Sequence, residues 1–176
     1  MKKYVLALIC SLAAAGIVFA QTPAPAPQPV NLFSLESQAT MLSLGNQSVA
    51  STNVSGSLMI TEYLKVKTDN LLAPALSLTY NGGGLGYDFN IDKLLQKTVL
   101  KPKTFRPYVE ASFGVVRTAT STNHFASLFG GGVNYDPAGS EKFTVNLIDF
   151  KAAYFPTGTL GANWGRTFSV GVKLNF

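Results

Sequence analysis

Few side chains in this 176-residue chain have the chemistry of an active site, and the most suggestive is its single histidine. His124 has Ser121 and Ser127 three positions to either side. A histidine beside a hydroxyl is the raw material of base-activated acyl transfer, but the base also needs an orienting acid and an aligned nucleophile. A lone histidine in a loop is ordinarily just a solvated one, so no enzyme is expected. Metal binding needs several ligands within reach, and one His with one Cys forms no cluster of recognisable spacing. Gly82-Gly83-Gly84 is followed by neither Lys-Ser/Thr nor a helix, so it reads as a turn and not as a phosphate cradle. Gly130-Gly131-Gly132 falls inside a strand-like run, where it either relieves curvature or makes room for a bulky lumen neighbour. No cofactor is expected.

The elements that must position these groups read as strands. Eight runs are separated by polar or Gly/Pro/Asn-containing breaks: 32–44, 54–67, 73–80, 85–91, 105–118, 125–135, 143–154 and 164–176. The first alternates poorly. In the fifth, Phe105, Pro107, Val109, Ala111, Phe113 and Val115 oppose Arg106, Tyr108, Glu110, Ser112 and Gly114. In the seventh, the apolar phase shifts between Leu147 and Ile148, which predicts a β-bulge and brings Asp149 and Lys151 onto the polar face. Arg106, Glu110, Asp149 and Lys151 are therefore candidates for a charge network inside a narrow barrel. There they would either pair, to avoid isolated buried charge, or be solvated singly by lumen water.

Alternation alone does not say which face meets water, and a soluble barrel or sandwich shows the same pattern inverted. The two ends of the chain bear on that choice. Residues 1–20 read as a secretory signal peptide: Lys2 and Lys3, an apolar stretch over 4–18, then Val18-Phe19-Ala20 with cleavage expected between Ala20 and Gln21. The stretch is short for a spanning helix of about 20 residues. Cys10 follows Ile9, not the small residue of a lipobox, so lipidation is not expected. Residues 21–30 form a Pro/Ala-rich linker, and 31–176 read as one domain. After cleavage no cysteine remains, and twelve basic against nine acidic residues leave a net charge of +3. That is too small and dispersed for a nucleic-acid partner. At the other end, Phe168, Val170, Val172, Leu174 and Phe176 alternate with Ser, Gly, Lys and Asn. With the N-terminus periplasmic, Phe105, Tyr135, Phe143 and Phe176 fall at one interface and Tyr80, Tyr87, Phe125, Tyr154 and Trp164 at the other, as in the aromatic girdles of a membrane barrel.

Three segments taken in order carry a family resemblance: Phe105-Arg106-Pro107-Tyr108-Val109-Glu110 with Gly114, Gly130-Gly131-Gly132-Val133-Asn134-Tyr135, and residues 168–176. Together they resemble the small eight-stranded bacterial outer-membrane barrels, the group similar to the transmembrane domain of OmpA, over roughly residues 75–176. The resemblance implies an all-β fold, an eight-stranded antiparallel up-and-down transmembrane β-barrel, with short periplasmic turns and longer external loops. It also implies that Phe168, Val170, Val172, Leu174 and Phe176 form the assembly signal read by the barrel assembly machinery. The implied partners are outer-membrane lipid and lipopolysaccharide, the location is the outer membrane, and the state is a monomer. Two departures stand out: no peptidoglycan-binding domain follows the barrel, and residues 92–104 are long and Lys-rich for a periplasmic turn. The expected role is structural or surface-interacting in the cell envelope. The alternatives are a narrow solute pore, a lipid-modifying enzyme built on His124, and a soluble periplasmic lipocalin-like binder.

Overall fold

The computed structural model describes residues 33–61, 63–89, 105–119, 123–137, 142–156 and 163–176. Eight antiparallel strands run in chain order: β1 Phe33–Leu44, β2 Gln47–Met59, β3 Leu64–Ala73, β4 Leu78–Asp88, β5 Phe105–Arg117, β6 Asn123–Tyr135, β7 Phe143–Tyr154 and β8 Trp164–Asn175. Each pairs with the next, and β1 closes on β8 in antiparallel register from Ser34–Asn175 to Leu44–Gly165, so the sheet has no free edge. Backbone bonds between Phe33 and Phe176 lock the seam at the rim that carries the start of β1 and the end of β8. This is the terminal rim; the β1–β2, β3–β4, β5–β6 and β7–β8 connections lie at the opposite one.

The pleat sorts side chains by polarity, apolar outward and polar inward. On β8, Phe168, Val170, Val172 and Leu174 are exposed, as is Phe176 just after it, while Thr167, Ser169 and Lys173 are buried. On β5, Phe113 and Val115 face out while Tyr108, Glu110 and Ser112 face in. A soluble lipocalin-like barrel requires the opposite sorting, with its apolar set inside and its charges in water. Buried Lys, Asp and Glu inside a shell of exposed Phe, Leu and Val describe a barrel whose solvent is lipid.

Strands β5 to β8 fall close to their predicted bounds, and the bulge lies where the phase shift predicts it. Leu147 and Ile148 are both exposed, and the β7–β8 register slips between Asn146 and Asp149. The runs predicted at 54–67, 73–80 and 85–91 are each out of place. β2 reads Ser51, Asn53, Ser55 inward against Thr52, Val54, Gly56 outward, so it offers little polarity contrast to mark it. Residues 54–67 span the end of β2, a turn and the start of β3. Gly82-Gly83-Gly84, predicted to turn, lies in the middle of β4. The real turns are Gly45-Asn46, with Gly45 at φ 56°, and the 3-10 turn Pro74–Leu76 followed by Ser77 at φ 48°.

The shifted bounds also move two aromatics. Tyr87 lies near the terminal rim beside Tyr63 and Phe89, and Tyr80 points into the lumen. The terminal-rim girdle includes the pairs Phe33–Phe176 and Phe105–Tyr135, with ring centroids 6.1 and 5.1 Å apart. The opposite one includes Tyr154–Trp164 at 4.9 Å and Phe113–Phe125 at 6.2 Å. Contrary to the long external loops that the resemblance implies, β1 and β2 are joined by two residues and β3 and β4 by Pro74–Ser77. The strand ends Asp88 and Phe105, between which the sequence is long, are both at the terminal rim.

Candidate functional site in the barrel lumen

The lumen contains two fillings stacked along the barrel axis. The half toward the terminal rim is polar, and its centre is Glu110 on β5. The Glu110 carboxylate accepts from both Lys67 Nζ of β3 and Lys151 Nζ of β7, each at 2.5 Å, so one acid joins strands on opposite walls. Each lysine holds a second acid from its own strand, two residues away: Lys67–Asp69 and Lys151–Asp149, both at 3.0 Å. Period-two spacing is what puts both members of each pair on the lumen face. These side chains are 4% exposed or less. At that depth, the desolvation cost of each charge must be offset by its partners.

Amides extend the network around the wall. Gln38 on β1 donates to Asp149 Oδ2 at 3.0 Å and accepts from Asn53 Nδ2 at 3.0 Å. Asn146 on β7 donates to the Tyr108 hydroxyl at 2.5 Å and to Glu36 Oε1 at 3.1 Å. Nearer the rim, Lys65 Nζ sits 2.8 Å from Asp88 and 4.8 Å above the Tyr108 ring.

The other half is apolar. Leu42, Leu44, Leu71, Leu78, Val116 and Leu128 pack with Ala73, Ala126, Ala153 and Phe155, all 2% exposed or less. Tyr80 joins the two fillings. Its ring lies 5.9 Å from Phe155, and its hydroxyl reaches Ser112 Oγ at 3.0 Å, one alternation from Glu110. The crossing side chains fit because glycines lie beneath them. A Cβ on Gly82 would collide with the Tyr80 hydroxyl, one on Gly86 with the Lys65 stem, and one on Gly132 with the Tyr108 hydroxyl. Within the Gly130–Gly132 run it is Gly132 that makes room for a bulky lumen neighbour, Tyr108, whereas Gly130 and Gly131 lie close against the backbone of the adjacent strands.

Of the predicted charge network, Glu110, Asp149 and Lys151 come together, and Arg106 lies half-buried at the start of β5. Lys67, Asp69, Lys65 and Asp88 were not predicted. The signal for the first three was present: Lys65, Lys67 and Asp69 occupy every second position between apolar and Thr residues, the mark of a charged lumen face. The apolar filling was not predicted either, since Leu inside and Leu outside look alike in sequence.

His124 is half-buried on β6, paired in register with Val116 of the lumen face. Ser127 is an odd number of residues away and so points to the other side of the sheet, and Ser121 lies outside the described residues. His124 and Ser127 therefore make no nucleophile–base pair. Among the described residues, no group of three or more His, Cys, Asp or Glu could hold a metal ion. Ala20 and Gln21 of the expected cleavage site lie outside the described residues.

No protein-family model and no curated protein matches the chain. Solved structures do. Neisserial surface protein A is similar at TM-score 0.55 and 19% identity, covering 82% of this chain and 96% of that one. The N-terminal β-barrel domain of Pseudomonas aeruginosa OprF is similar at TM-score 0.57 and 16% identity, covering 81% and 97%. The fold is that of the eight-stranded outer-membrane barrels. At these identities the likeness extends to the fold alone, and function has to be argued from the lumen and the surface.

Proposed function

We propose that this protein is an integral barrel of the bacterial outer membrane with a structural role in the cell envelope, non-enzymatic and closed to solutes. The observation that carries the reading is the doubly filled lumen. An eight-stranded barrel encloses just enough width for its own side chains, and here ion pairs fill one half and Leu, Ala, Phe and Tyr the other. A narrow solute pore would need a continuous polar path, and the apolar filling interrupts it. The two-residue Gly45-Asn46 turn and the short Pro74–Ser77 connection favour the structural role over surface interaction through long loops.

The expected signal peptide supports export, with Gln21 as the mature N-terminus. The outward row Phe168, Val170, Val172, Leu174 and Phe176 is suited to the barrel assembly machinery, and the apolar exterior to outer-membrane lipid and lipopolysaccharide. Cell fractionation combined with heated and unheated gel mobility tests the reading. The protein is expected in the outer-membrane fraction with a heat-dependent shift; recovery in the soluble periplasmic fraction would overturn it.

A further inference from the structure

We propose that the outer face of β1–β4 is a lateral interface that pairs this barrel with a second copy of itself in the plane of the membrane. The proposal rests on the outer-membrane reading, because its driving force exists only where the surrounding solvent cannot hydrogen-bond. It replaces the monomer expected from sequence.

The exterior is not uniform. Along the inter-strand pairing, one outward row crosses the first four strands as Ser37, Val54, Asn70 and Asn81. The same row continues as Val115 on β5 and Phe125 on β6, and on the other side it begins from Val172 on β8. Three of its four positions on β1–β4 are polar, and the flanking positions are apolar. Thr52 and Thr68 enlarge the polar patch, and Gly56 and Gly83 keep it low. All five polar side chains are exposed and lie at least three residues inside their strands' ends. That is about 10 Å of strand from either rim.

Thr68 accepts from the Gly56 N–H at 3.3 Å and donates to the Gly56 carbonyl at 3.5 Å, while the other four are largely unmatched within the barrel. Asn70 donates to the Val54 carbonyl at 3.2 Å, and its own carbonyl oxygen makes no bond among the described residues. Asn81, Ser37 and Thr52 make no side-chain hydrogen bond among the described residues. Amides and hydroxyls facing hydrocarbon are costly unless another protein surface meets them. A shallow groove of about 300 Å³ borders the patch, where Ala39, Ser48 and Ala50 sit low between Met41, Phe168 and Val170. Small residues of this kind let two backbones approach closely in a membrane.

The chemistry selects a second copy as the occupant. The patch is uncharged, so like patches do not repel, and a carboxamide both donates and accepts. A two-fold axis through the patch would set Asn70 and Asn81 against the same side chains of the neighbour, the isologous arrangement that closes as a dimer.

Thiol cross-linking in isolated outer membranes tests this. With Cys10→Ser in the background, Asn81→Cys, Thr52→Cys or, on β7, Phe150→Cys supplies the sole thiol, and a short bis-maleimide linker, which alkylates one thiol at each end, is added. Asn81→Cys and Thr52→Cys are expected to give a dimer band several-fold stronger than Phe150→Cys, which is exposed on β7, on the opposite wall of the barrel. Combining Asn70→Leu with Asn81→Leu and reading Thr52→Cys should abolish that excess while the heat-shifted monomer band persists. Inserted, heat-shifting barrels that cross-link equally at all three positions would overturn the interface. Absence of the protein from the outer membrane would instead overturn the membrane reading beneath it.

Discussion

Toward the terminal rim, the lumen is held together by a few strong and mutually dependent contacts. Beyond Tyr80 it is held by many weak and interchangeable ones. Glu110 alone joins two lysines from opposite walls, so its loss uncouples those walls and leaves each lysine only the acid of its own strand. In the apolar half no side chain depends on a single partner, and loss of one leaves a void its neighbours can partly close. The same narrow space is thus closed by specificity at one end and by volume at the other.

The contrast is sharpest in response to truncation. Glu110→Ala leaves the Lys67 and Lys151 ammonium groups buried without their shared acid. It should lower stability by about 3–5 kcal/mol, read as a shifted urea midpoint in lipid vesicles. Changing the whole cluster to neutral residues, Glu110→Gln, Lys67→Met, Lys151→Met, Asp69→Asn and Asp149→Asn, should recover much of that loss, because none of its five charges is then stranded. If the fully neutral variant is no better than the single one, the account of the polar half is wrong. In the apolar half, Leu128→Ala should cost about 2–4 kcal/mol, and the loss should be graded with the volume removed, so Leu128→Val costs less. At the junction, Tyr80→Phe keeps the Phe155 contact and removes the Ser112 bond, for about 1 kcal/mol. The smallest effect belongs to His124→Ala, expected within about 0.5 kcal/mol of the parent by the same measurement. Loss of a lipid acyl-chain modification in that variant would reopen the enzymatic reading.

How far sequence anticipates this structure depends on contrast between the faces of a strand. β5, β7 and β8 alternate aromatic or aliphatic residues with charged or small ones, and their bounds and bulge were legible. β2 alternates Ser and Asn with Thr, Val and Gly, so its two environments share one vocabulary. Its misplacement carried β3 and β4 with it, and with them Lys67, Asp69 and the lumen position of Tyr80. Gly82-Gly83-Gly84 misled for a related reason: glycine marks turns, but it also marks wall under a crossing side chain. The partners of Glu110 were half legible, since Lys151 follows from the β7 phase shift, whereas Lys67 required the correct strand. The two-residue Gly45-Asn46 turn was a readable hairpin signal and would have set β2 in place.

Single-channel recording on the purified protein in planar lipid bilayers tests the closed lumen most directly. With ion pairs filling one half and an apolar core the other, wild type should show no steady conductance above the bare membrane. A sustained, large conductance from heat-shifting, folded protein would contradict the account.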